Sequence, residues 1–434
     1  MAQPSQQLQR ELGVFGAAMM GMGSILGTGV FVSIGIAAGV AGPSVILAIA
    51  LAALVAVCNG LSSAQLAANH AVSGGTYEYG YKYLNSWLGF TAGWLFLLAK
   101  SASAATAALG FAGYLLNLLG VSTGELLVPL GMVAVVVLTL IVLSGLRRSN
   151  ITNIVIVSVT ILALAAFVLG GVPRMAQSMG QNLTPFFNPD ADSPLAALLE
   201  AAALMFVAYT GYGRIATMGE EVREPRRTIP RAIIVTLVLT MVLYVSVAVV
   251  GVGAVGAERL SSSAGTQAAP LELAAREFGV PLVPQIVAIG AITAMLGVLL
   301  NLILGLSRVL LAMGRRGDMP GITARLDERG AAPYVAVIIM GIVIAGLVLV
   351  GNVKTTWSFS AFTVLIYYAL TNLAALRLPD DERLFPRWLA WGGLAACLFL
   401  AFWVEPAIWI LGLGLIGVGL IWHAVARQLG RRGA

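Results

Sequence analysis

The sequence predicts an all-α integral membrane protein of twelve spans, arranged as two inverted five-span repeats with two further spans appended. Three observations carry that reading. The chain of 434 residues is 59% hydrophobic and only 10% charged, with a mean hydropathy of +0.93, which soluble domains of this size do not reach. Apolar stretches of about 20 residues recur along its whole length. The first and sixth of them are interrupted at their middles, and paired interruptions in two halves point to a transporter's midplane site.

The apolar stretches run over about 13–39, 42–68, 86–119, 125–145, 151–171, 195–221, 230–256, 282–313, 333–351, 355–377, 387–404 and 406–427. Residues 1–12 form a polar lead, 13–171 a first repeat, 195–377 a second, 387–427 the appended pair and 428–434 a tail. The lead is followed by a span too long for the apolar core of a signal peptide, so no cleavable leader is expected. The loop over about 257–281 has room for a short surface helix around Pro270, Leu271, Leu273 and Ala274. Cys58 and Cys397 both fall inside apolar stretches, so no disulfide framework is indicated.

Basic residues orient the spans. With the N-terminus inside, the cytoplasmic side collects Arg147, Arg148, Arg223, Arg226, Arg227, Arg231, Arg308, Arg315, Arg316, Arg383, Arg387 and others, while the outside keeps Arg174, Arg259, Arg276 and Lys354. Both termini are then cytoplasmic, and the first and sixth spans run in opposite directions, as an inverted repeat requires. The net charge of +6 sits in short loops beside the spans and gives no reason to expect a nucleic-acid partner.

The first interruption is Gly23-Ser24-Ile25-Leu26-Gly27-Thr28-Gly29. Glycine costs a helix interior about 1 kcal/mol relative to alanine, so this run either opens the helix or lets a neighbouring helix approach closely. Open backbone survives in hydrocarbon only where it lines a cavity or is buried in protein. The second interruption, Ala208-Tyr209-Thr210-Gly211-Tyr212-Gly213, favours the opening.

Four motifs in order resemble those of the amino acid–polyamine–organocation permeases. They are Gly23-Ser24-Ile25-Leu26-Gly27-Thr28-Gly29-Val30-Phe31 and Ser73-Gly74-Gly75-Thr76-Tyr77-Glu78-Tyr79. Then come Phe206-Val207-Ala208-Tyr209-Thr210-Gly211-Tyr212, running into Glu220-Glu221-Val222-Arg223-Glu224-Pro225, and Ser307-Arg308-Val309-Leu310 with Ala312-Met313-Gly314-Arg315. The resemblance covers about residues 10–430 and implies the leucine-transporter type of five-plus-five inverted repeat. It also implies a site for an amino acid zwitterion. Thr28 and Gly29, with Gly27 beside them, would take the carboxylate on exposed N–H groups. The carbonyls of Ile25, Val207 and Thr210 would take the ammonium. Phe206, Val207, Tyr209 and Tyr212 would line the side-chain pocket, or simply pack. Val207 stands where some relatives carry a gating tryptophan, and Ser158 or Thr160 where some carry a fifth-span lysine in place of sodium.

Charges near the middle of a span are expensive and mark function by default. Lys100, in Leu97-Leu98-Ala99-Lys100-Ser101-Ala102-Ser103, is a candidate proton carrier or coupling charge, the alternative being a lysine held structurally. Glu220 and Glu221, with Arg308 or Arg315 opposite, are inner-gate candidates or an ordinary interfacial cluster. Asn301 in the eighth span reads as an interhelical hydrogen bond or a substrate contact. No Asp or Glu lies near the middle of any span, which favours a neutral amino acid over a cation.

The function expected is therefore a secondary active transporter in the cell membrane, moving amino acids by alternating access through proton symport or exchange. A polyamine or cationic amino acid carrier is the alternative, and a non-transporting sensor or a channel-like protein stands further off. No nucleophile–base–acid constellation or phosphate loop suggests an enzyme, no cofactor is called for, and His70 and His423 alone make no metal site.

Overall fold

The computed structural model describes residues 12–70, 74–145, 150–217, 222–266, 268–327 and 333–432. Among these, every regular element is helical, and the only β pairing is one isolated parallel bridge between Leu12 and Val222. The helices are α1 (Val14–Ile25), α2 (Thr28–Phe31), α3 (Ser33–Ala41), α4 (Val45–Asn69), α5 (Thr76–Tyr83), α6 (Ser86–Leu118), α7 (Leu127–Leu143), α8 (Asn150–Asn182) and α9 (Pro194–Tyr209). They continue with α10 (Gly213–Ala216), α11 (Pro225–Val255), α12 (Ala257–Thr266), α13 (Pro270–Arg276), α14 (Val283–Arg316), α15 (Tyr334–Val348), α16 (Val353–Leu376), α17 (Arg387–Ala401) and α18 (Pro406–Arg432).

Eight runs among the described residues are long and apolar enough to cross a membrane. The first, Thr28–Asn69, is 42 residues long. At 1.5 Å per residue that is roughly 63 Å, twice the hydrocarbon thickness, so the chain must double back within it. It does so at Gly42, whose φ of 65° opens the left-handed region, followed by Pro43 in a short 3₁₀ turn. Shorter apolar helices lie at α1, α7, α15 and α17. Large apolar side chains such as Leu140, Ile151, Leu162, Leu169, Ile342 and Ile421 face outward. So much exposed apolar surface marks a partner phase other than water, and here it is the bilayer.

The buried centre is built by α6, which packs along both α14 and α16, and by α11, which packs along α4 and α8. The interrupted segments α1–α3 and α9–α10 lie against each other. Hydroxyl pairs fasten α6 to α16: Ser103 to Ser360 at 2.7 Å and Thr106 to Thr356 at 2.8 Å.

The segment expected as a surface helix forms two helices, α12 and α13, and α13 is not on the surface. Leu271 and Glu272 are buried, and Glu272 pairs with Arg276 at 2.7 Å. The Leu271 N–H donates to the Tyr114 hydroxyl (3.2 Å), which donates to the Phe31 carbonyl (2.7 Å). One tyrosine on α6 thereby ties α13 to the C-terminal end of α2. A buried amide without such a partner would cost desolvation energy, which explains the inward placement of an otherwise loop-like segment.

Candidate functional site

The first interruption is a true break. α1 ends at Ile25, Leu26 turns extended (φ −75°, ψ 100°), and Gly27 adopts φ −177°, ψ −124°. A new helix then starts at Thr28. The first N–H groups of a helix have no intrahelical acceptor, and here they belong to Thr28 and Gly29. The Thr28 hydroxyl is buried and has no hydrogen-bond partner.

The second interruption differs from the opening that the sequence suggests. Residues Thr210–Tyr212 keep right-handed backbone angles and tighten into a 3₁₀ turn between α9 and α10. One local and one distant side chain account for this. The Thr210 side chain donates back to the Val207 carbonyl at 2.8 Å, and the Tyr368 hydroxyl of α16 donates to the Thr210 carbonyl at 3.1 Å. Side-chain donors thus satisfy the turn without unwinding it.

Two glycines let the interruptions meet. A Cβ on Gly211 would lie 2.4 Å from the Ser24 carbonyl oxygen. One on Gly29 would lie 2.8 Å from Ala208 Cβ and 2.9 Å from the Tyr244 hydroxyl. That hydroxyl, on α11, sits 2.9 Å from the Ile25 carbonyl and 3.2 Å from the Ala208 carbonyl. Tyr244 therefore bridges the two segments. At their opposite ends the Arg223 N–H donates to the Leu12 carbonyl at 2.9 Å, joining the residue before α1 to the chain after α10.

A cavity of about 600 Å³ starts where the interruptions touch, at Ser24, Thr210 and Gly211, and runs past Lys100 and Asn301 to Arg308, Arg315 and Arg316. That volume lies within the usual range for small-molecule sites. The Lys100 ammonium donates to the Thr210 hydroxyl at 2.9 Å. At the basic mouth Arg316 pairs with Glu78 at 2.6 Å and lies 4.0 Å from the Tyr81 ring centroid. Asp318, just beyond α14, accepts from the Tyr77 and Tyr81 hydroxyls at 2.7 Å.

Comparison with known proteins gives this geometry a family. Residues 16–428 match the amino acid permease family. The chain belongs to that family. It is 38% identical over 426 residues to an uncharacterized transporter of Mycobacterium tuberculosis, covering 98% of this chain and 93% of that one. It is 28% identical over 442 residues to the branched-chain amino acid permease BcaP of Bacillus subtilis, covering 95% and 92%. The crystal structure of MhsT in complex with L-phenylalanine superposes with a TM-score of 0.63 at 16% identity, over 92% of this chain and all of that one, so the two share a fold. The protein is a multi-pass membrane permease for amino acids.

Within the permease, Lys100, Thr210 and Arg308 line the cavity. Ile25, Gly27, Thr28 and Gly29 are buried at the break. Phe206 and Tyr212 pack against the Tyr368 ring, and Tyr209 against Tyr244. Val207 is buried beside them, and its carbonyl accepts from Thr210. Glu220 and Glu221 lie outside the described residues. The ion pair described at the mouth is Glu78 with Arg316. Glu78 sits inside the second motif, so the sequence carried that signal.

Tyr244 and Tyr368 were not singled out in the sequence. Their roles come from helices distant along the chain, and a tyrosine in an apolar span looks the same whether it packs or bridges two backbones. Each carbonyl assigned to an ammonium already accepts one hydroxyl: Ile25 from Tyr244, Val207 from Thr210, Thr210 from Tyr368. A carbonyl has two lone pairs. Val207 also accepts the Thr210 N–H and Thr210 the Gly213 N–H, so both are filled, and of the three Ile25 is the one that keeps a lone pair open.

Proposed function

We propose that this permease moves neutral amino acids across the cell membrane by alternating access, with its basic face and both termini in the cytoplasm. The observation that carries the reading is one-sided access. The cavity joins the contact between the two interruptions to the basic face, while α13, Tyr114 and Phe31 are bonded together on the other side. This is the arrangement of an inward-open state. The pairing of α4 with α11, α6 with α14 and α7 with α15 fits twelve spans with two five-span repeats related by a twofold axis, since each pair joins elements five spans apart.

The substrate's carboxylate would take the N–H groups of Thr28 and Gly29 and the buried Thr28 hydroxyl. Its ammonium would take the open lone pair of the Ile25 carbonyl, while the Val207 and Thr210 carbonyls, each already accepting two donors, would have to exchange one to join it. Glu78 is the acidic side chain among the lining residues, and Arg316 neutralises it. Among the described residues a cationic side chain would therefore find no free carboxylate there, which supports a neutral substrate.

Coupling is by proton symport or by exchange, and Lys100 is the group we assign to it. Its ammonium contacts the second interruption directly, so loss of its proton would change a contact that the moving segment makes. Lys100→Ala is expected to abolish the pH dependence of uptake into proteoliposomes. An unchanged pH profile would leave Lys100 structural.

The reading itself is tested by thermal-shift measurements on the purified protein with the twenty amino acids and common polyamines. A ligand at a hundred times its dissociation constant stabilises by about 2.7 kcal/mol. Stabilisation by neutral amino acids, followed by counterflow in vesicles, is expected. Stabilisation by putrescine or arginine alone would overturn the neutral class, and binding without counterflow would indicate a sensor.

A further inference from the structure

Lys100 is a full charge at the deep end of the cavity, against the second interruption. The groups that line the cavity there with it, Ser24, Ser63, Thr210, Asn301 and Tyr368, are neutral. An ammonium carries three N–H donors, and Lys100 directs one to the Thr210 hydroxyl. No ion pair among the described residues includes it. The side chain is half-buried, with its remaining surface open to the cavity. Further out, Arg308 and Arg315 also line the passage without an ion pair among the described residues, whereas Glu78 is held by Arg316. Among the described residues the cations lining the passage, Lys100, Arg214, Arg308, Arg315 and Arg316, outnumber its one carboxylate, Glu78. Low-dielectric walls focus such a field on an entering anion.

A zwitterion bound beside a charged Lys100 leaves that charge unmatched, and uncompensated charge away from water is costly. A substrate with a second carboxylate neutralises it and supplies acceptors for the two open donors in a charge-assisted hydrogen bond. We propose that Lys100 is the anchor for a side-chain carboxylate, so that the permease accepts dicarboxylic amino acids, aspartate or glutamate, alongside neutral ones. This rests on the zwitterion site proposed above, which holds the α-carboxylate and α-ammonium while Lys100 holds the second carboxylate. The positive passage would also disfavour arginine and lysine.

The test uses the full-length protein in detergent and two near-isosteric pairs, L-glutamate with L-glutamine and L-aspartate with L-asparagine, with affinities read from ligand-dependent thermal shifts. The acids are expected to bind the wild type and to compete with a neutral ligand. In Lys100→Gln the acid-to-amide affinity ratio is expected to fall at least tenfold, and Lys100→Arg should restore most of it. Arg308→Gln should leave the ratio within about twofold. Neutral amino acids that bind while both acids fail would overturn the proposal but not the zwitterion site. So would a ratio unchanged in Lys100→Gln, or an equal fall in Arg308→Gln. Should Lys100→Gln not fold, Lys100→Met replaces it, and the wild-type comparison of acids with amides still decides whether the acids are accepted. If no amino acid of any class binds, both readings fall.

Discussion

Two regions of this permease solve the same problem in opposite ways. Both must place polar groups in a membrane interior. Along the seam between α6 and α16 the helices are unbroken, and the polar groups are side-chain hydroxyls that pair across it, Ser103 with Ser360 and Thr106 with Thr356. Where α1–α3 meet α9–α10, the polar groups are backbone, exposed by a break and a 3₁₀ turn and held by tyrosines from α11 and α16. The Ser103–Ser360 and Thr106–Thr356 pairs close across the seam, although the Ser101 and Ser358 hydroxyls on the same two helices are buried without a partner. What sets the interruptions apart is backbone: the N–H groups of Thr28 and Gly29 stand at a helix start inside the protein, beside the buried, unpartnered Thr28 hydroxyl. On the proposed reading the seam is frame and the interruptions are the working part.

The largest expected effect comes from glycine at the working part. Gly211→Ala places a methyl 2.4 Å from the Ser24 carbonyl oxygen, and backbone cannot yield as a flexible side chain does. Substrate affinity should fall more than a hundredfold in a ligand-dependent thermal-shift assay, and Gly29→Val should do the same while the protein still folds. Retained binding in Gly29→Val would remove the carboxylate assignment and weaken the distinction between the two regions.

Next is Tyr244→Phe. It deprives the Ile25 and Ala208 carbonyls of their shared donor, and leaving a buried acceptor unsatisfied costs about 1–3 kcal/mol. Both unfolding stability and substrate affinity should drop. A change in stability alone would make Tyr244 part of the frame.

At the seam, Thr106→Val should lower stability by about 1 kcal/mol with substrate affinity unchanged. The double change with Thr356→Val should recover part of that loss, because removing both partners leaves neither unsatisfied. A fall in affinity equal to that of Tyr244→Phe would erase the proposed division of labour.

The smallest effect belongs to neither region and serves as a control. Burial holds the His70 imidazole below its usual pKa of 6.5, and the Lys82 ammonium, 3.2 Å from Nδ1, acts in the same direction. A depressed folded pKa means that the unfolded chain binds the proton more readily. Its contribution to stability is therefore present above pH 6.5 and is lost as pH falls through the depressed value. Melting temperatures taken from pH 7.5 down to 5.5 should decline slightly less in His70→Asn than in the wild type, with transport unaffected.

Several features were legible in the chain. The glycine run Gly23–Gly29 announced the break because glycine and a short extended dipeptide are local properties. Lys100 announced itself because charge in an apolar stretch is conspicuous at any position. The helical stretches were legible because a bilayer imposes one length on every crossing. The buried seat of α13 was not legible, since its composition is that of a loop helix and only Tyr114, more than a hundred residues away in sequence, explains it. The tightened rather than opened turn at Thr210 also escaped, because it depends on Tyr368 from another helix.

The sequence by itself determined that this chain lives in a membrane, where its helices lie, where two of them are interrupted and which charge is out of place. Each of these follows from propensity, hydropathy and the cost of burying charge, and none needs to know what stands across a helix. Only the tertiary structure decided which donors cover the exposed carbonyls, which side the cavity reaches and what faces Lys100. Those depend on hydrogen bonds between residues far apart in the chain. In a dry interior such bonds are fixed by whichever partner comes within about 3 Å, and spacing along the sequence does not encode that.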